Sequence, residues 1–141
     1  MVHSEIRKKI KKIKKQKKVF NHVYQNSLFS KLDFDLTNDQ KISLNEINQD
    51  LKSNQKMFRL LQGDVGSGKT IVALTAAYNV IKSGFQVAVM APTEILARQH
   101  FQLAKNIFDK KIRIEILSSK SEYKEKKRIL KKLSNNEADI V

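Results

Sequence analysis

A chain of 141 residues, 40% of them hydrophobic, is long enough for one domain with a core of its own. It has no cysteine, no apolar run near the ~20 residues of a membrane span and no secretory signal, which excludes a disulfide framework, a thiolate metal site and a spanning helix and leaves a cytoplasmic protein as the default. A net charge of +14, from 28 basic and 14 acidic residues, points to a polyanionic partner such as DNA, with a lysine-rich solvated face as the alternative.

Residues 4–20 read as a helix with Ile6, Ile10, Ile13 and Phe20 on a thin apolar stripe and lysines elsewhere. Residues 1–18 carry nine basic side chains against one acidic one. So little apolar surface and so much self-repulsion do not support a free-standing helix. It is expected to be a connector packed on another body; contact with DNA or with an anionic membrane surface is the alternative. Residues 21–36 mix Asn21, Gln25, Asn26 and Ser27 with Val23, Tyr24, Leu28, Phe29 and Leu32, as a linker or short helix does. Thr37 and Gln40 form a capping box, and Ile42, Ile47 and Leu51 keep helical spacing behind it.

A loop over 52–56 leads to Met57-Phe58-Arg59-Leu60-Leu61, expected to be the first strand. The glycine-rich stretch of residues 63–70 follows, then a helix from residue 69 to about 82 that ends at Gly84 in a left-handed cap. Phe85-Gln86-Val87-Ala88-Val89-Met90 reads as a buried strand that Pro92 breaks. Thr93 caps the next helix, Glu94 complements its dipole, and Ile95, Leu96, Gln99, Leu103 and Ile107 lie along it. Residues 112–117 alternate as a strand does. Ser121 opens a helix carrying Tyr123, Ile129, Leu130 and Leu133, Asn135 and Asn136 make a turn, and residues 138–141 start another strand. Strands alternating with helices predict an α/β fold with a parallel sheet and right-handed crossovers. The phosphate loop, Pro92-Thr93 and Ser118-Ser119 then share the C-terminal edge of the strands, where such sheets bind ligands.

Gly63-Asp64-Val65-Gly66-Ser67-Gly68-Lys69-Thr70 is a phosphate-binding loop: glycine, four residues, then Gly-Lys-Thr. Gly63, Gly66 and Gly68 allow backbone angles and approaches that a Cβ would block, and the loop N–H groups together with the helix N-terminus surround one point that attracts phosphate. Lys69 is expected to reach the β- and γ-phosphates of a nucleoside triphosphate and the Thr70 hydroxyl to ligate Mg²⁺. Asp64 has no catalytic role in this reading. Gln40 carries an amide with a donor and an acceptor, which suits an adenine edge as well as the capping box.

Leu36-Thr37-Asn38-Asp39-Gln40, residues 60–70 and Met90-Ala91-Pro92-Thr93-Glu94-Ile95-Leu96-Ala97-Arg98-Gln99-His100 closely resemble the RecG family, superfamily 2 DNA helicases that remodel stalled replication forks and branched DNA. The resemblance covers residues 32–141 and implies a RecA-like ATP-binding lobe of which residues 31–141 are the first half, with residues 1–30 the tail of a connection to an upstream wedge domain that grips branched DNA. It implies that Gln40 reads adenine, that Phe34 packs near the base, that Lys69 and Thr70 hold phosphate and Mg²⁺, and that Pro92, Thr93, Glu94, Arg98 and Gln99 lie along a DNA strand. In the next family motif, Leu117-Ser118-Ser119-Lys120 keeps hydroxyls for DNA at Ser118 but lacks the usual glycine. An acidic box and a second RecA-like lobe with an arginine finger are expected after Val141, which makes the chain a fragment that binds nucleotide without turnover. The transcription-repair coupling translocases are similar but less so at Ser67 and at residues 91–95. A non-catalytic nucleotide- or DNA-binding relic is a further alternative. A kinase has no need of Pro92-Thr93-Glu94, and a GTPase would carry an Asn-Lys-x-Asp that is absent here.

Overall fold

The computed structural model describes residue 21 and residues 23–141, so the helix expected over 4–20, and with it most of the connector expected over 1–30, lies outside the described residues. The described residues form five helices: α1 (Gln25–Phe29), α2 (Asn38–Lys52), α3 (Lys69–Lys82), α4 (Glu94–Ile107) and α5 (Tyr123–Ser134). α3, KTIVALTAAYNVIK, is apolar on nearly every side, and nine of its fourteen residues are buried. A helix of that composition has to sit inside the molecule. α1 and α2 pack on it with Leu28, Leu44 and Ile47, while Ala104, Ile107 and Phe108 close the core from the α4 side. Burying each of these larger apolar side chains is worth about 1.5–3 kcal/mol.

The helix ends follow the local chemistry. In α2 the Gln40 amide N–H donates to Thr37 Oγ1 (3.3 Å) and the Thr37 N–H donates to Gln40 Oε1 (2.9 Å), a complete capping box. Beyond α3 the chain reverses at Gly84, with φ at +86°. Thr93 Oγ1 accepts from the Leu96 N–H at 3.3 Å to start α4. α5 differs from expectation. It begins after Glu122 with no side-chain cap, because the Ser121 hydroxyl is already engaged, accepting from the Ser118 N–H at 3.2 Å.

Polar side chains on α3 fix how α1 and α2 seat. Asn79 Nδ2 donates to Gln25 Oε1 (3.1 Å) and to Asn48 Oδ1 (3.3 Å), and Asn48 Nδ2 donates to the same Gln25 oxygen (3.0 Å). Asn48 and Asn79 are buried, so these amides must bond one another or lose their solvation without return. One residue earlier, the Tyr78 hydroxyl donates to Asp109 Oδ2 (2.8 Å) and lies 3.0 Å from Ser27 Oγ. Asp109 also pairs with Lys31 and, at 3.4 Å, with Lys82.

The expected parallel sheet is reduced to its smallest unit. Residues 85–90, 138–141 and 112–117 lie side by side, and among the described residues their ladder is two isolated parallel bridges, Val87 with Ile140 and Ile114 with Ile140. The Val87 N–H donates to Asp139 O, Val141 N–H to Val87 O, Val89 N–H to Val141 O and Asp139 N–H to Arg113 O, at 2.8–3.1 Å. Residues 85–90 are not a buried strand: none of them is buried, and Met90 is 95% exposed. Its far side opens on a cavity of about 570 Å³ lined by Ile47, Leu51, Leu61, Ala77, Val80 and Ala88. Residues 57–61 stand across that cavity and make no backbone hydrogen bond among the described residues. They are tied to α2 through Arg59, which pairs with Glu46 and, at 2.8 Å, with Asp50.

Asp109 is held at about 2, below its ordinary 3.8, first by the hydrogen bond from Lys31 and next by that from Tyr78. A folded pKa below the unfolded one contributes stability that is present above the unfolded value and lost as pH falls through about 4 towards 2. Asp109→Asn is expected to lower stability at neutral pH by on the order of 1 kcal/mol and to flatten that acid loss. Urea denaturation across this pH range measures both effects.

Candidate functional site

The turn between residues 63 and 70 is shaped by two glycines in the left-handed region, Gly66 at φ +82° and Gly68 at φ +78°. The Ser67 N–H closes on Asp64 O at 3.2 Å. Lys69 then folds back into the loop: its Nζ donates to Gly63 O (2.7 Å) and Asp64 O (2.6 Å) and lies 3.4 Å from Ser67 Oγ. One positive charge thus sits at the centre of a ring of backbone. Gly68 is the N-cap of α3 and offers no side chain, and the first internal bond is Val72 N–H to Gly68 O. The N–H groups of Lys69, Thr70 and Ile71 find no acceptor among the described residues. Unpaired donors, a helix dipole and an ammonium converging on one point make an anion cradle.

Two positions of the loop sit close against a neighbouring side chain. A Cβ on Gly63 would lie 2.8 Å from Ser67 Oγ, and one on Gly68 would lie 2.3 Å from Gln40 Nε2. Gln40 is that close because its Nε2 donates to Ser67 O at 2.9 Å. Its amide thereby joins the α2 cap to the phosphate loop. An amide offers two N–H groups and two oxygen lone pairs. One of each is used, which leaves one donor and one acceptor. Thr70 is half-buried at the start of α3. Val65 is fully exposed at the loop tip, and Asp64 enters the geometry through its carbonyl. Phe34 is 52% exposed, two residues before Leu36, which enters the core.

A second cluster forms at the N-terminus of α4. Glu94 Oε1 accepts from Arg98 Nε (3.1 Å) and Nη2 (2.8 Å), and Lys120 Nζ stands 3.6 Å from Oε2. Glu94 is held below the ordinary carboxylate range, chiefly by the Arg98 hydrogen bond. The N–H groups of Glu94 and Ile95 have no acceptor among the described residues, and Pro92, Thr93 and Gln99 are exposed beside them. Lys120 brings the turn that holds Ser118 up to this helix. Ser118 itself is tied to Ser121, their hydroxyls 3.4 Å apart. The geometry thus joins Glu94 and Arg98 to each other and, through Lys120, to the Ser118 turn. Lys120 is not legible as a site residue in the sequence, because its partner lies 26 positions away. Among the described residues no group of three or more His, Cys, Asp or Glu could hold a metal ion, and no helix is long and apolar enough to cross a membrane.

A DEAD/DEAH box helicase family model matches residues 37–141. The ATP-dependent DNA helicase RecG of Borreliella burgdorferi is 43% identical over 128 residues, which are 90% of this chain and 19% of that protein. The RecG of Streptococcus pneumoniae is 46% identical over 110 residues, 78% of this chain and 16% of that protein. The solved structure of RecG bound to a three-way DNA junction superposes with a TM-score of 0.89 at 38% identity, covering 99% of this chain and 19% of that one. The chain therefore spans less than a fifth of the relatives it matches.

Gln40→Ala and Thr37→Ala both break the capping box and are expected to cost about 1 kcal/mol each in thermal denaturation. Only Gln40→Ala removes the tether to Ser67. Hydrogen exchange over residues 63–70 is expected to quicken in that variant and stay unchanged in Thr37→Ala.

Proposed function

The chain belongs to the DEAD/DEAH box helicase family, and we propose that it is the first part of the ATP-binding lobe of a RecG-type helicase, an enzyme that couples ATP hydrolysis to movement on branched DNA. The observation that carries this reading is the position of Lys69 Nζ at the centre of the loop, with Gln40 bound to the same loop from outside. A triphosphate entering the cradle would take over the ammonium from the Gly63 and Asp64 carbonyls, exchanging neutral acceptors for an anionic one. The free N–H groups at the start of α3 would meet the phosphates, and Thr70 would supply a hydroxyl to Mg²⁺. When bound, Mg²⁺ neutralises charge developing between the β- and γ-phosphates.

Base recognition falls to the spare donor and acceptor of Gln40. Adenine offers a donor and an acceptor on adjacent positions, N6 and N7, that such an amide matches as a pair. The guanine edge at that position offers two acceptors. Phe34, half-exposed, would cover the base. Nucleic acid would lie across the second cluster, where Thr93, the free N–H groups of α4, Gln99 and Ser118 offer donors suited to phosphate oxygens, and contacts of that kind position a strand without reading its sequence. Arg98 is committed to Glu94, so its part is to hold that edge together. The parallel bridges at Ile140 are, in this reading, the beginning of a RecA-like parallel sheet, with residues 31–141 the first half of the lobe. The wedge and second lobe belong to the rest of the protein. A transcription-repair coupling translocase is the runner-up and fits Ser67 and residues 91–95 less well.

Titration with Mg·ATP tests the cradle. The chain is expected to bind ATP weakly, to prefer it to GTP, and to release no phosphate even with branched DNA present. Lys69→Ala is expected to abolish binding, and Gln40→Ala to erase the preference between bases. Binding that survives Lys69→Ala, or DNA-stimulated turnover by this chain alone, would overturn the assignment.

A further inference from the structure

α5 has a charge problem that its packing does not explain. From Lys120 to Ser134 the chain carries seven basic residues and two glutamates. Lys120 is taken by Glu94, and the other six basic residues divide into two sets. Arg128 (3.4 Å) and Lys132 turn to Glu115, and Lys126 Nζ donates to Ser119 O (2.9 Å), so these three are satisfied by the body of the protein. Lys124, Lys127 and Lys131 are exposed and meet no acidic side chain among the described residues. Their spacing, i, i+3, i+7, places them on one helix face. At about 100° per residue that face lies directly opposite Ile129, the fully buried residue of this helix. Like charges at i,i+3 and i,i+4 weaken a helix. An outward ridge of three unpaired lysines therefore persists against the local preference of the helix that carries it.

The ridge is not isolated. It starts one turn from Ser118 and Lys120, the turn that Lys120 holds against Glu94 at the head of α4, and Tyr123, 79% exposed, stands at its beginning. We propose that the outer face of α5 is a second nucleic-acid contact, a phosphate track that continues from the Ser118 turn along Lys124, Lys127 and Lys131, with Tyr123 a stacking surface at its mouth. Along the helix the three lysines span about 10 Å, the axial length of about three successive phosphates on one strand. The partner is a polynucleotide backbone, since a row of three point charges, about 4.5 and 6 Å apart along the axis, with no base-reading side chain between them suits repeating phosphates. This inference rests on the DNA-acting reading above.

The test is salt-dependent binding of labelled three-way junction and single-stranded DNA to the whole chain and to Lys124→Gln/Lys127→Gln/Lys131→Gln. Lys41→Gln/Lys52→Gln/Lys56→Gln, with the same net charge but on and after α2, is the control. The α5 variant is expected to bind at least tenfold more weakly, with the slope of log affinity against log salt reduced by about two to three; the control is expected to stay within twofold of the wild type. Its melting temperature is expected to be no lower than wild type, because repulsion is relieved. Lys127→Gln alone should give about a third of the slope change, which keeps the inference testable if the triple variant folds poorly. Equal losses in the α5 and control variants would show a general effect of charge and overturn the track while leaving the helicase reading intact. A wild-type chain that binds neither DNA would overturn both.

Discussion

The burial of α3 is the constraint on which the other elements depend. A fourteen-residue helix with nine buried positions has to be covered from several directions, and α1, α2, α4 and the segment around Ile140 are the cover. Because the helix enters the core at Ile71 and Val72, its first residues are held still at the surface. Lys69 and Thr70 are presented by a rod that cannot tilt without opening the hydrophobic interior. Precision at the phosphate loop is thus a consequence of packing farther along the same helix.

Two polar systems refine that placement. Near the C-terminal end of α3, the amides of Gln25, Asn48 and Asn79 admit one registration of three helices, since a shift by a residue would strand buried donors. At the opposite end Gln40 does the equivalent for the loop, with one amide shared between a helix cap and the Ser67 carbonyl. Between them, α1 and α2 are therefore bonded to the C-terminal end of α3 and to the loop ahead of its N-terminus. Asp109 adds an anionic anchor for Lys31, Tyr78 and Lys82, so the short α1 is held by charge as well as by Leu28.

Local chemistry carried much of this in the sequence. The Thr37–Gln40 box, the Thr93 cap and the left-handed Gly84 are each settled by residues within a few positions of one another, and all three stand in the structure as read, while the glycine-rich loop takes positive φ at Gly66 and Gly68. What fails is what depends on distant partners. Ile42 has helical spacing yet is 57% exposed, while Leu44 supplies the buried contact, because only the position of α3 decides which face of α2 is inward. Residues 85–90 read as a buried strand, but burial needs neighbours on both sides, and among the described residues it is bridged on the 138–141 side alone. Ser121 looks like a helix cap until Ser118 is folded back against it. At the site, Lys69 and Gln40 were legible from their motifs, whereas Lys120 bridging to Glu94 was not, and Arg98 proved to be engaged with its own helix.

The uncovered stretch at 57–61 has a colloidal consequence. Its backbone groups are unbonded among the described residues, Leu60 is 85% exposed, and a ready-made groove lies alongside. Such a border invites another copy to add itself on, which is how ordered aggregates begin. The surplus of lysine works against it: molecules carrying +14 repel one another before they can touch. That protection has a reach of about 10 Å at 0.1 M salt and shrinks as salt rises. The repulsion that keeps such copies apart therefore weakens as the ionic strength of the medium rises.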